Sequence, residues 1–152
     1  MDRSGKRGGG AQPDVAAADG TWVADAVAVG VDKIEDLVAF KLAREFKLAV
    51  YALVTESASA ARDLRYRDQL FAAASSTEAN VDEGFHRYGA GEMVHFLSIA
   101  RASAAEAQRR IIDGVHRGHF DAAMAGPALQ LSRRAGAAIA GLQRSLKPFT
   151  RR

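Results

Sequence analysis

Between Asp32 and Pro148 the apolar residues return at steps of three and four, and no stretch alternates with strand period long enough to compete. The clearest case is Met93, Phe96, Leu97, Ala100, Ala104, Ala107, Ile111 and Val115, which hold one face of a helix. Arg101, Gln108, Arg109 and His116 lie mainly away from that face. A chain patterned in this way folds by burying helical stripes against one another, so its class is all-α.

Three further helices flank this one. Asp32 is a candidate N-cap for the first, with Glu35 three residues later as capping-box partner. Its stripe is Ile34, Leu37, Val38, Leu42, Phe46, Ala49 and Leu53, widened by Phe40, Val50 and Tyr51, and it fades near Ser57–Ala61. Asp63 caps a second helix whose inner face is Leu64, Leu70, Ala73, Ala74, Thr77, Val81 and Phe85. Gly84, Gly89 and Gly91 mark its end and a sharp reversal. Asp121 caps the last helix, striped by Leu131, Ala135, Ala138, Ile139, Leu142 and Leu146. Pro127 predicts a kink or break near Gly126–Pro127, and Pro148 a stop. Four long helices on short links predict an antiparallel up-and-down four-helix bundle over residues 32–148. Residues 1–31, Gly-rich and charged at first and carrying the single Trp22, read as a disordered or loosely docked extension, and residues 149–152 as a basic tail.

Composition narrows the function classes. There is no cysteine, which excludes disulfides and thiolate metal sites. No apolar run approaches the ~18 residues of a membrane helix. MDRSGKRGGGAQPD has no apolar segment behind its basic residues, so a signal peptide is not expected and the expected compartment is the cytoplasm. Charge is unevenly placed: residues 101–152 carry ten Lys/Arg against three Asp/Glu, a net of +7, whereas residues 1–100 carry eleven against fifteen, a net of −4. A basic half of this kind holds phosphates, faces an acidic neighbour, or keeps the chain soluble.

Two Glu-x-x-His steps, Glu83–His86 and Glu92–His95, flank the reversal and have the spacing of helical di-iron ligands. The last helix carries no Glu, however, and Asp121 stands at its far end, so the steps read as a turn and no metal or cofactor is expected. His116 and His119, three apart near a helix end, make a weak two-ligand metal signal and read as solvated. The serines are not bracketed by a glycine elbow, and GKRGGG is not followed by the Lys-Ser/Thr of a phosphate loop. An enzyme is not expected.

RDQLFAAASSTEANVDEGFHR followed by EMVHFLSIARASAAE resembles the signature hairpin of the 23S ribosomal RNA intervening-sequence proteins. The matching residues are Gln69-Leu70, then Asn80-Val81-Asp82-Glu83-Gly84, then Ala100-Arg101-Ala102-Ser103 with Glu106. The resemblance runs from about Glu35 to Leu146. It implies a four-helix bundle assembled as a ring-like homopentamer. It also implies a structural motif of Gln69, Asn80, Glu83, Gly84, Arg101, Ser103 and Glu106, in which the polar members tie the second helix to the third. A more distant likeness is to the accessory variability determinant proteins of diversity-generating retroelements, which implies a polymerase-type partner and nucleic acid on a basic surface. The family often has two arginines after Gln-Leu; Phe71 and Ala72 stand there, which moves any phosphate contact to the C-terminal half.

The candidate nucleic-acid-binding residues are therefore Arg101, Arg109, Arg110, Arg117, Arg133, Arg134, Arg144 and Lys147, with Arg151 and Arg152 behind them. The expected function is a non-enzymatic oligomeric bundle that binds RNA or DNA. The alternative is a protein-interaction scaffold or an accessory subunit of a nucleic-acid enzyme such as a reverse transcriptase.

Overall fold

The computed structural model describes residues 31–87 and 89–150, and all regular structure in them is helical. The order is a 3-10 turn at Ile34–Asp36, then α1 (Val38–Glu56), the short α2 (Ala58–Arg62), α3 (Leu64–Phe85), α4 (Ala90–His116) and α5 (Ala122–Leu146), closed by a 3-10 turn at Lys147–Phe149. The expected N-terminal extension with Trp22, together with Arg151 and Arg152, lies outside the described residues. Main packing runs α1 on α3, α3 on α4, α4 on α5 and α5 back on α1, so the four long helices close an up-and-down bundle.

Its core has two apolar layers. One, at the end holding the α3–α4 turn, is built on Ile34, Leu37, Phe40, Phe85, Met93, Leu97, Ile139 and Leu146. The other, at the opposite end, is built on Phe46, Val50, Tyr66, Leu70, Ile111 and Phe120. Between them lie smaller and polar residues, including Thr77, Ser103 and Ser132, all buried.

Local chemistry sets several boundaries. The Asp63 carboxylate accepts from Tyr66 N at 3.2 Å, and Asp121 from Met124 N at 2.8 Å, capping α3 and α5 as their positions predict. At Gly84 α3 and α4 pack closely: a Cβ there would stand 3.0 Å from Phe96 Cβ. Gly89, with φ of 101°, reverses the chain into α4, a conformation that favours glycine.

Four expectations are corrected. Asp32 caps nothing: α1 begins at Val38 after an extended Leu37, because the 3-10 turn and that extension let both Ile34 and Leu37 reach the core. The first helix does not fade but stops at Ser57, whose side chain accepts from Ala60 N at 3.2 Å and starts α2. Leu64 is 58% exposed and belongs to no core face. Pro127 does not break α5, which runs through it. It lies near the N-terminal end, where one lost backbone bond costs little cooperativity, and Gly126 before it offers no Cβ to the proline ring.

Candidate nucleic-acid interface

Among the four long helices, α5 alone has no carboxylate, and it carries more exposed cations than any other. Across its 25 residues α5 contains no Asp or Glu, while Arg133, Arg134 and Arg144, and Lys147 just beyond it, are exposed. Neighbouring α4 adds exposed Arg101 and Arg109. None of these six forms a salt bridge with another described residue.

One buried amide sets the register of the two helices. Gln143, 5% exposed, accepts from Arg101 Nη1 through Oε1 at 2.9 Å. Its Nε2 donates to Ser98 Oγ at 2.8 Å and to Val94 O at 3.1 Å. Both of its N–H donors and its carbonyl oxygen are engaged across the α4–α5 seam, and Arg101 is oriented there while remaining exposed. In antiparallel helices this pairing sets Arg101 beside Arg144. Eight residues along α4, Arg109 falls level with Ala135, next to Arg133. The two cation pairs are then roughly 12–16 Å apart along the bundle, at ~1.5 Å per residue.

The other two arginines are occupied. Arg110 pairs with Glu106 at 2.8 Å and donates to Gln69 Oε1 at 2.7 Å. Arg117 pairs with Asp113 at 2.8 Å and with Asp63 at 3.4 Å, and its guanidinium lies over the Tyr66 ring. Both stand beside a polar depression of about 240 Å³, which Asp63, Arg65, Tyr66 and Gln69 also line. Burial pushes the Tyr66 phenol up to about 12, and its Oη donates to Arg110 O at 2.6 Å.

The polar motif is divided between separate contacts. Asn80 Nδ2 donates to Ser76 O and Oγ, and Ser76 Oγ meets Ser103 Oγ at 2.8 Å, joining α3 to α4. Gln69 and Glu106 meet through Arg110, a second tie between the same helices. Glu83 instead pairs with Arg87 one turn on, and Arg101 turns away to α5. The α3–α4 seam is thus tied by hydroxyl and amide groups at its middle and by the partly exposed Arg110–Glu106 pair further along.

Two clusters were not anticipated. Glu78 is buried between α1 and α3, bonded to Arg44 Nε at 3.0 Å and to Lys47 Nζ. Burial raises its carboxyl, but Lys47 and Arg44 outweigh that and hold it below the ordinary range. Its heptad-like spacing from Phe71 and Phe85 was the only sequence signal that it turns inward. His119 is not solvated as its sequence position suggested: its side chain is 12% exposed, with Nδ1 3.0 Å from Ser59 Oγ and Nε2 3.3 Å from Asp63 Oδ2. Ser57 Oγ also donates to His119 O at 2.7 Å, so the α4–α5 loop is clamped onto α2. The backbone bond from Tyr66, aided by His119 and Arg117, lowers the Asp63 carboxyl against the opposing effect of burial. The hydroxyl–imidazole–carboxylate order resembles a nucleophilic relay, but every member is spent holding the loop down, and the nearby depression is lined by neither Ser59 nor His119.

At the other end, His86 Nδ1 lies 2.9 Å from Asp82 O and 3.2 Å from the Asp82 carboxylate, while Glu92 and His95 are exposed. Among the described residues no three His, Asp or Glu side chains gather closely enough to hold a metal ion. No described helix is long and apolar enough to cross a membrane.

No curated protein and no solved structure matches the chain. The family model described as "23S rRNA-intervening sequence protein" matches residues 35–140, which takes in α1 through most of α5 and the whole α3–α4 hairpin. By its sequence, and with a bundle of the expected kind, this chain belongs to the 23S rRNA-intervening sequence protein family.

Proposed function

We propose that this protein is a non-enzymatic, cytoplasmic helical bundle that binds RNA through the cations of α4 and α5. The observation that carries the reading is α5 itself: 25 residues with no carboxylate, and exposed arginines that no described acid neutralises. Phosphate binding releases counterions condensed on the nucleic acid, so an unpaired arginine on a rigid helix contributes where a paired one does not. Arg110 and Arg117 accordingly leave the set of contacts, and Arg101, Arg109, Arg133, Arg134, Arg144 and Lys147 remain.

We further propose that copies assemble into a ring-like homopentamer through the outer face of α1 and α3. Leu48 is 54% exposed there and Leu64 58%, beside small exposed Ala72 and Ala79, which let a neighbouring helix approach. A contact of ~800 Å² per partner is ordinary for a stable interface. It would leave α4 and α5 outward on every copy, multiplying a modest site by avidity.

The test is fluorescence anisotropy on a labelled structured RNA with the R109E/R133E/R134E/R144E protein. The reading predicts loss of binding with an unchanged mass by light scattering. Retained binding contradicts it. An α4–α5 face that ignores RNA but captures an acidic polymerase-type protein would favour an accessory-subunit role, as the retroelement likeness suggests.

A further inference from the structure

Resting on that reading, we infer that the α4–α5 face takes the two phosphate rows of a double helix, an RNA stem, and does so without reading sequence. Three features of the face lead there.

The first is its width. The cations sit on two packed helices whose axes stand ~8–10 Å apart and whose diameters with side chains are ~10–12 Å. The crest is therefore roughly 18–22 Å across, too broad to enter a B-form major groove of ~12 Å. A-form RNA offers instead a wide, shallow minor groove with phosphates along both rims. A broad crest meets rims, and rims carry no base identity.

The second is the floor between the cations. Arg133, Ala137, Gly141 and Arg144 follow one another at helical steps on α5, as Arg101, Ala105 and Arg109 do on α4. Ala137 is exposed, Ala105 and Gly141 are half-buried, and a Cβ at Gly141 would meet nothing nearer than Arg144 Nη2 at 3.8 Å. Within each row the residues between the guanidinium groups are small, so both rows can touch a rigid ligand together.

The third concerns stacking. Single strands are held chiefly by bases stacked on aromatic rings. Between the two rows, from Leu97 to Pro148, the only Phe, Tyr or Trp is Phe120, which is 3% exposed and packed in the core. Phe149, 48% exposed, stands beyond the end of α5 in the turn that carries Lys147, so the rows themselves have no ring to stack on.

The experiment compares a 20-base-pair RNA duplex, a shuffled duplex of the same length, and each unpaired strand, in the same buffer, using full-length protein. The inference predicts that both duplexes bind equally and about tenfold or more tighter than either strand, given the stacking contribution that the strands lack here. A strand that binds as tightly as the duplex overturns the duplex inference and leaves RNA binding standing. A strong difference between the two duplexes overturns the rim contact. Failure of every RNA overturns the functional reading beneath it. The A137W variant changes an exposed position and keeps the fold intact. It should weaken duplex binding by propping the rows apart and strengthen strand binding by supplying a ring; unchanged selectivity counts against the floor.

Discussion

Gly114 lies in α4 with its α-hydrogens against Tyr66 and Phe120, and replacing it by alanine should be the most damaging single-methyl change in the bundle. The new Cβ would collide with Tyr66 Oη and stand 2.7 Å from the Phe120 ring. Neither neighbour can yield freely. Tyr66 is 3% exposed and its hydroxyl is bonded to Arg110 O, while Phe120 is 3% exposed within the core layer. Overpacking of this kind costs about 1–3 kcal/mol. A displaced Tyr66 hydroxyl leaves a buried polar group without its partner, a further ~1–3 kcal/mol. Alanine's better helix propensity returns at most about 1 kcal/mol. The net loss is then about 1–5 kcal/mol, or roughly 4–20 °C in Tm at ~4 °C per kcal/mol for a domain of this size. Gly136 in α5 is the control, because a Cβ there meets nothing within 4 Å. G136A should gain about 0.5–1 kcal/mol. Thermal and urea unfolding of both variants, followed by circular dichroism, measures the contrast. G114A as stable as the wild type would refute the packing argument. Gly114 is buried near the C-terminal end of α4, whereas Arg101 and Arg109 point outward, so RNA binding by folded G114A should be unchanged.

Other consequences are as direct. E78Q removes a buried charge held by Lys47 and Arg44, and should cost about 1–2 kcal/mol at neutral pH, the half-exposed Arg44 limiting the loss. Because the Glu78 carboxyl lies below its ordinary 4.5 in the folded state, its contribution is full above that pH and fades as pH falls through the folded value. The stability gap between wild type and E78Q should therefore close in acid; a gap constant down to pH 3 would contradict the pairing. L48D places a charge on the exposed outer face of α1 and should dissociate the oligomer without unfolding the bundle. Light scattering should read about 81 kDa for the wild type, five times the 16.2 kDa chain, and the single-chain mass for the variant. Equal masses would reject that face as the interface.

Much of this architecture was legible because helical period is a local property. Asp63 and Asp121 announced the starts of α3 and α5, and Gly89 the reversal, each through chemistry confined to a few neighbours. What sequence reading missed depends on distant partners. Leu37 is extended because that lets both it and Ile34 reach the core, and His119 is largely covered because its loop folds back on Ser57, Ser59 and Asp63, some sixty positions away. Glu78 turns inward because Arg44 and Lys47 lie across the α1–α3 seam. The division among the basic residues was partly readable. Glu106–Arg110 and Asp113–Arg117 stand at i,i+4, the spacing at which opposite charges meet on a helix, so two candidates could have been set aside beforehand. Arg101 could not have been assigned to α5, since Gln143 is 42 residues away.

The most direct test of the account is the affinity of the intact protein for an RNA duplex across a salt series from 50 to 200 mM. With Arg101, Arg109, Arg133 and Arg144 of the two rows each neutralising one phosphate, log K should fall against log salt with a slope of about −3.6, four contacts at ~0.9 each, or about −5.4 where Arg134 and Lys147 also engage. The four-contact slope is roughly a 150-fold loss over the series for each protomer engaged, and steeper if several protomers engage one duplex. Binding that is absent at 50 mM, or indifferent to salt, would contradict the claim that the carboxylate-free face of α5 and its neighbour α4 exist to hold phosphates.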